Sequence, residues 1–322
     1  MQPATQLYND GIITAEQLAA IEKSESEKLF SVHWELRTIL YLGILLLTSG
    51  IGILIYLNID TIGHQAVLAL IAAGCTGCFY YAHKNALPYS NTAVKHPSPF
   101  FDYVVLLGCL LLGIFTGYLQ FQYSVFGLHY GLATLFPTLV FFFCAYFFDH
   151  KGVLSLGITG LAAWAGLTVT PLELLDHNDF SDTTLMFTGM ALGALMAGFA
   201  KFSEIKNIKS HFCFTWNNFA ANILFVATLA AFFDQQLKWL GFLLLAGTCF
   251  YYIRYALQLQ SFFFLLVSCL YGYIGLTYII FSTLLDGYGD TVIILGSFYF
   301  MASCGGIILF FIKYKQILGL KR

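Results

Sequence analysis

The sequence predicts an all-α fold: a polytopic integral membrane helix bundle with about ten transmembrane helices and both termini in the cytoplasm. Of 322 residues, 59% are hydrophobic and 10% are charged. Soluble proteins average about 45–50% and about 25%, so lipid must cover the apolar excess. The apolar residues stand in continuous runs rather than alternating with polar ones, which indicates helices and excludes a β-barrel.

Each apolar run is long enough to span a bilayer, since a spanning helix needs about 17–25 residues. Three regions are predicted: a cytoplasmic segment of short helices (1–37), a ten-helix transmembrane domain (38–313) and a basic cytoplasmic tail (314–322). In chain order the predicted spans are 38–57, 66–82, 103–120, 125–148, 153–169, 184–200, 214–233, 239–257, 262–285 and 291–311.

Lysine and arginine predict the orientation of these spans. With the N-terminus inside, Lys238 is the one basic residue of fifteen that falls on an outer connection. This asymmetry follows the positive-inside rule, so both termini are predicted to be cytoplasmic. The inner cations include Lys151, in the tight turn Asp149-His150-Lys151, and Lys209. The formal net charge of −2 offers no large basic surface, and no nucleic acid is expected as a partner.

One outer connection, "TPLELLDHNDFSD" (170–182), is rich in carboxylates and contains no lysine or arginine. Carboxylate oxygens suit divalent cations, which makes Asp176 and Asp179 weak candidates for metal ligands. The spacing does not match a calcium loop, because Phe180 stands where the third ligand belongs. We therefore expect a solvated acidic loop without a metal.

The N-terminal segment contains a helix start at Thr14. Thr14 and Gln17 have the spacing of a capping box. With "GIITAEQL" (11–18), an acidic helix and then the first apolar run, the chain resembles the bacterial predicted membrane proteins of domain of unknown function 2157. The resemblance covers about residues 1–60. It implies a multi-pass protein of the bacterial inner membrane, and it brings no established activity and no catalytic residues.

Polar side chains inside the spans are the candidates for a functional site, because burying them in lipid is costly. Thr215, Asn218 and Asn222 share a face of the seventh span, and His129 lies near the outer end of the fourth. These four residues are candidates for a substrate path, and a packing clasp is the alternative for the asparagines. Asp102 and Arg254, near the inner interface, are a candidate ion pair.

Common catalytic signatures do not occur in the sequence: it has no Walker glycine loop, no His-Glu-x-x-His and no Gly-x-Ser-x-Gly. We therefore expect no enzyme and no cofactor. A secondary transporter-like permease for a small molecule is the favoured function, and it predicts a midplane cavity lined by Asn218, Asn222 or His129. The alternative is a non-catalytic scaffold or regulatory protein that acts through its N-terminal cytoplasmic helix. The lipid bilayer is the expected partner, and a second copy or another membrane protein is left open.

Overall fold

The computed structural model of the protein describes residues 14, 16–18, 33–94, 96, 98–127, 129–169, 182–284 and 291–320. The chain forms two compact units, Met1–Thr61 and Ile62–Arg322. Across these described ranges the regular secondary structure is helical, with no strand. The predicted all-α membrane fold is therefore confirmed.

The first unit contains the predicted helix start and the first long helix. The Thr14 main-chain N–H donates to Gln17 Oε1 at 2.9 Å, and the Gln17 N–H donates to Thr14 Oγ1 at 3.3 Å, which confirms the capping box. Helix α1 spans His33–Ile62 and carries the apolar stretch Thr38–Leu54. Within that stretch, Thr48 satisfies its hydroxyl by donating to the main-chain oxygen of Ile44 at 2.9 Å.

The second unit contains nine helices in its described part, each long and apolar enough to cross a membrane. With the 17-residue stretch in α1, they correspond in order to the ten predicted spans. A 3₁₀ turn at Ser210–Phe212 leads into α7, and a π turn at Ile280–Leu284 follows α9. The helices are α2 His64–Lys84, α3 Pro99–Tyr123, α4 Tyr130–Phe148, α5 Lys151–Val169, α6 Thr183–Lys206, α7 Cys213–Phe233, α8 Lys238–Leu259, α9 Phe262–Ile279 and α10 Thr291–Ile317.

The ends of these helices carry recognisable caps. The Asp182 carboxylate accepts from the main-chain N–H groups of Thr184 at 2.6 Å and Leu185 at 3.0 Å, which makes it the N-cap of α6. Pro99 occupies the first turn of α3, where its missing N–H costs nothing. Left-handed residues terminate α4 at Asp149 and α6 at Asn207, so each helix stops abruptly before the next begins.

Helix α7 is the centre of the second unit. It contacts α5, α6, α8 and α9. Just over half of its span, 56%, is buried inside the protein, against 28–39% for α2 to α6, α8 and α9, and 6% for α10. An apolar core joins α7, α8 and α9 to the end of α10. Its buried residues are Ala221, Phe225, Leu229, Phe232, Leu245, Tyr252, Tyr255, Ala256, Phe264, Leu265, Val267 and Leu318.

Because successive helices run antiparallel, four connections and the end of α10 meet at one end of this unit, which we call the Asp149 end. Tyr314 packs on Phe262 with ring centroids 4.7 Å apart, and Leu318 is buried in the core. Helix α10 thus continues to Ile317, into the segment predicted as a tail. The described basic residues at this end are Lys84, Lys151, Lys201, Lys206, Lys209, Arg254, Lys313 and Lys315.

Lys238 lies at the opposite end, where its Nζ donates to Ser282 Oγ at 3.1 Å. Among the described residues, the structure therefore gathers the predicted inner cations of this unit at one end and separates them from the predicted outer one. The location of that end in the cytoplasm stays a prediction.

Candidate functional site

A buried polar cluster lies at the Asp149 end, and its centre is the Asp149 carboxylate. Oδ2 accepts from the main-chain N–H of Val94 at 2.5 Å. Oδ1 lies 3.2 Å from Lys209 Nζ in a salt bridge and accepts from His211 Nε2 at 2.5 Å. We call Asp149, Lys209, His211 and the main chain of Val94 the Asp149 hub. One carboxylate thus joins the α2–α3, α4–α5 and α6–α7 connections.

Lys209 is held in place from several sides. Its side chain is 1% exposed, and its Nζ lies 5.1 Å from the centre of the Tyr89 ring. Its main-chain N–H donates to the Asn91 carbonyl at 3.1 Å. Its φ angle of 48° is left-handed, a conformation that costs a residue with a Cβ about 1–2 kcal/mol. The surrounding contacts must offset that cost, so tertiary structure determines this lysine's conformation.

Lys209 alone balances the negative charge of Asp149, and no charge on His211 is needed. Asp149 and Lys209, whose side chains are 4% and 1% exposed, contribute one charge of each sign. Each would be expensive to bury alone, and the hydrogen bonds to the carboxylate offset part of the desolvation cost. The His211 side chain is 18% exposed, so it is the member of the hub that solvent reaches.

Two further histidines make main-chain hydrogen bonds in the α2–α3 and α4–α5 connections. The Val153 N–H donates to His150 Nδ1 at 3.1 Å, which leaves the proton on Nε2 to donate to the Asp102 carbonyl at 3.0 Å. In His96 likewise, Nδ1 accepts from a main-chain N–H, that of Ser98, and Nε2 donates to the Asn85 carbonyl at 3.1 Å. We assign these tautomers from the bonding geometry.

A small pocket of about 20 Å³ opens beside the hub. Ser90, His96, Phe101, Asp149 and Lys209 are among its lining residues. A cavity needs roughly 10–15 Å³ to hold one water molecule, so this pocket admits a water molecule and excludes an organic substrate. The hub can therefore close the end of the bundle, but the pocket itself is no substrate site.

The predicted substrate-path residues of α7 are partly brought together. Asn222 Nδ2 donates to the Asn218 main-chain oxygen at 2.8 Å and to Asn218 Oδ1 at 3.1 Å. Tyr271 of α9 donates to Asn222 Oδ1 at 3.4 Å. Thr215 is half-buried in the first turn of α7. The asparagine pair therefore faces α9, as a clasp between helices does.

His129 is not part of this group. It is exposed and immediately precedes α4, at the end of the bundle opposite the hub. Since α4 has 19 residues, its two ends lie about 28 Å apart. The side of α7 that meets α4 carries Trp216, whose Nε1 donates to the Tyr146 hydroxyl at 3.1 Å. The structure thus separates His129 from the asparagines, and they do not line a common α4–α7 cavity.

The other predicted candidates remain predictions. The Arg254 guanidinium lies 5.2 Å from the centre of the Phe250 ring, and the Asp102 carbonyl accepts from His150, so the Asp102–Arg254 ion pair stays a prediction. Asp176 and Asp179 lie outside the described residues. Elsewhere in the described ranges, no group of three or more His, Cys, Asp or Glu side chains is arranged to hold a metal ion.

The pairing that makes the hub is not visible in the sequence of any single segment. Asp149 was predicted in a polar turn and Lys209 among the inner cations, and no role was predicted for His211. The available signal was position: Asp149 and Lys209 each stand in a short connection between apolar helices at the same end of the bundle. Position predicts that both residues lie at one end, and their contact depends on how the helix hairpins pack together.

Comparison with known proteins found one family model that matches the N-terminal part of the chain. Residues 5–154 match the model of the predicted membrane protein family DUF2157. The resemblance seen in residues 11–18 is therefore confirmed, and the DUF2157 match extends through α2, α3 and α4 to the start of α5. It includes Asp149 and ends before Lys209 and His211. No curated protein and no solved structure matched the sequence.

Proposed function

We propose that this protein is a secondary transporter-like permease for a small molecule in the bacterial inner membrane, and that the Asp149 hub is the gate at its cytoplasmic end. The observation that carries the proposal is the junction of three connections, which belong to three helix hairpins, on one buried carboxylate. Alternating access requires contacts at one end of a bundle that form and break as units.

The energetics of the Asp149–Lys209 pair support a gate more than a contact that only stabilises the fold. A buried ion pair contributes little net stability compared with well-packed apolar residues. Removing one partner is nevertheless expensive, about 3–5 kcal/mol, because a buried charge is left unpaired. Such a pair therefore favours two discrete arrangements, closed with both partners in contact or open with both hydrated. The left-handed conformations of Asp149 and Lys209 also require the closed contacts to hold them.

The test is solute permeation in reconstituted liposomes. Purified full-length protein is compared with Asp149→Asn, using ribitol as the osmotic probe and sucrose as the impermeant control, with swelling followed by light scattering. We expect Asp149→Asn to raise the rate of ribitol entry several-fold, because the gate loses its carboxylate. Glu204→Gln, which breaks the exposed Lys201–Glu204 pair, is the matched control and should leave the rate unchanged.

Two further variants guard against a folding artefact. The exchange Asp149→Lys with Lys209→Asp restores a pair of opposite charges and should return permeation toward the wild-type rate. His211→Gln removes one donor while the ion pair remains, and should give an intermediate rate. If folded Asp149→Asn and wild-type protein admit ribitol equally slowly, the hub is not a gate.

A second candidate is a scaffold or regulatory protein that acts through its N-terminal helix. The formed capping box favours it, because it gives that helix a defined start at Thr14. The double variant Thr14→Ala with Gln17→Ala removes both capping hydrogen bonds. Under this alternative it should reduce cross-linking between copies or to a membrane partner in cells and leave ribitol permeation unchanged. In a permease without such a role, the double variant should leave cross-linking unchanged as well.

A further inference from the structure

Two buried polar atoms in the core of α7, α8 and α9 are unsatisfied. Asn217 is 3% exposed and Tyr252 is fully buried. Asn217 Nδ2 donates to the Cys213 main-chain oxygen and to the Tyr255 hydroxyl, both at 3.1 Å. Within the described part of the chain, Asn217 Oδ1 and the Tyr252 hydroxyl have no hydrogen-bond partner.

The orientation of the Asn217 amide is determined by its neighbours. Turning the amide over would point Oδ1 at the Cys213 carbonyl, and two acceptors would then face each other. The amide oxygen is therefore the atom left over, and it is an acceptor. A phenol hydroxyl both donates and accepts. Buried polar groups are almost always paired, and the bilayer core offers no bulk water to pair them.

The surroundings of the two atoms narrow the chemistry of a partner. Both residues are neighbours of Tyr255: its hydroxyl accepts from Asn217 Nδ2, and its ring packs edge-on against the Tyr252 ring with centroids 6.4 Å apart. Phe225 and Phe264 pack against the Tyr252 ring at 5.7 and 6.0 Å. A charged ligand would be costly in this aromatic, buried environment. An uncharged group that can donate to an amide oxygen and accept from a phenol suits it, and a hydroxyl group does both.

We propose that the core of α7, α8 and α9 contains a binding site for a small uncharged molecule with a hydroxyl group, water being the smallest, which donates to Asn217 Oδ1 and accepts from the Tyr252 hydroxyl. Asn217 is four residues into α7, about 6 Å from its start, so the site lies within the bilayer near the Asp149 end. Further along α7, Asn218 and Asn222 form the next group of polar side chains, together with Tyr271 of α9. The site is separate from the hub and does not depend on its being a gate.

Thermal unfolding of full-length protein in one detergent–lipid mixture tests the site. Tyr252→Phe removes only the hydroxyl. If a molecule occupies the site, Tyr252→Phe should lower Tm by about 2 °C or more, because that molecule loses the hydroxyl that donates to it. Tyr255→Phe is the matched control, because that hydroxyl has a known partner and its removal should also lower Tm. If Tyr252→Phe leaves Tm unchanged or raises it, the hydroxyl was unsatisfied and the proposal fails.

A double-variant cycle tests whether one molecule serves both atoms. Asn217→Leu is made alone and together with Tyr252→Phe. A shared occupant predicts that the second substitution costs less Tm in the double variant than in the wild type. Additive losses would overturn the shared site. Titration with ribitol then identifies the occupant: a rise in Tm that is lost in Tyr252→Phe supports a larger hydroxyl-bearing solute, and equal rises in both proteins support water.

Discussion

Single residues show how burial separates charges that look alike in the sequence. Lys201 and Lys209 both lie at the Asp149 end, and each has an acidic partner. The Lys201–Glu204 pair is 2.9 Å long, with side chains 54% and 41% exposed, whereas Lys209 and Asp149 are 1% and 4% exposed. Water screens the first pair, which should contribute at most about 1 kcal/mol. The second pair is shielded from water, so breaking it should lower the stability of the protein far more.

A stability measurement should therefore separate the two pairs. Asp149→Asn leaves the Lys209 ammonium buried and unpaired, and we expect the free energy of unfolding to fall by about 3–5 kcal/mol. Glu204→Gln should cost about 1 kcal/mol or less. Denaturant unfolding of both variants in the same detergent measures the difference. The double variant Asp149→Leu with Lys209→Met removes both charges and should recover most of the loss; equal small losses for the two single variants would contradict this interpretation.

At the scale of elements, glycine determines how closely α8 approaches α7. A methyl group added at Gly241, in the first turn of α8, would overlap the main chain of Ala231 and Phe232 near the end of α7. A backbone cannot move aside as a flexible side chain does. The short α7–α8 connection, in which Asp234 Oδ1 accepts from the N–H groups of Gln236 and Leu237, holds the two helices at this distance. The glycine is thus a packing requirement of the hairpin.

Substitution by alanine tests this requirement within a single helix. Gly241→Ala should lower the free energy of unfolding by about 1–3 kcal/mol, the usual cost of overpacking. Gly247→Ala, six residues further along α8, meets nothing within 4 Å and should be neutral or slightly stabilising, because alanine favours helix. Thermal unfolding of the two variants provides the comparison. Similar effects at both positions would show that α8 does not pack closely at Gly241.

At the scale of the whole molecule, the charge asymmetry predicts how the protein lies in the membrane. The described cations of the second unit gather at the Asp149 end, and Lys238 stands alone among them at the other end. By the positive-inside rule, the Asp149 end and the C-terminus should face the cytoplasm. A reporter that fluoresces only in the cytoplasm, fused after Arg322, should be bright, and a periplasmic phosphatase fused there should be inactive. The reverse pattern would overturn the orientation and the cytoplasmic gate with it.

The pattern of apolar residues was enough to predict the membrane helices and their order. Hydrophobicity is a local, additive property, so runs such as 103–120 and 184–200 predicted α3 and α6 to within a few residues at most ends. The error at the start of α4 follows from the hydrogen bonds of one side chain. Helix α4 begins at Tyr130 and not near 125, because Gln120 accepts from the Phe126 N–H and donates to the Gly127 carbonyl, which closes a turn there.

Which polar groups meet depends on the packing of the helices and could not be predicted from local patterns. Asp149 and Lys209 lie sixty positions apart, and their contact depends on which hairpins are neighbours at the Asp149 end. On α7 the sequence singled out Asn218 and Asn222, whereas Asn217, between Thr215 and Asn218, is the buried asparagine with an unsatisfied oxygen. Side chains on a helix differ in direction by about 100° per residue, so the neighbours in space determine which one is buried.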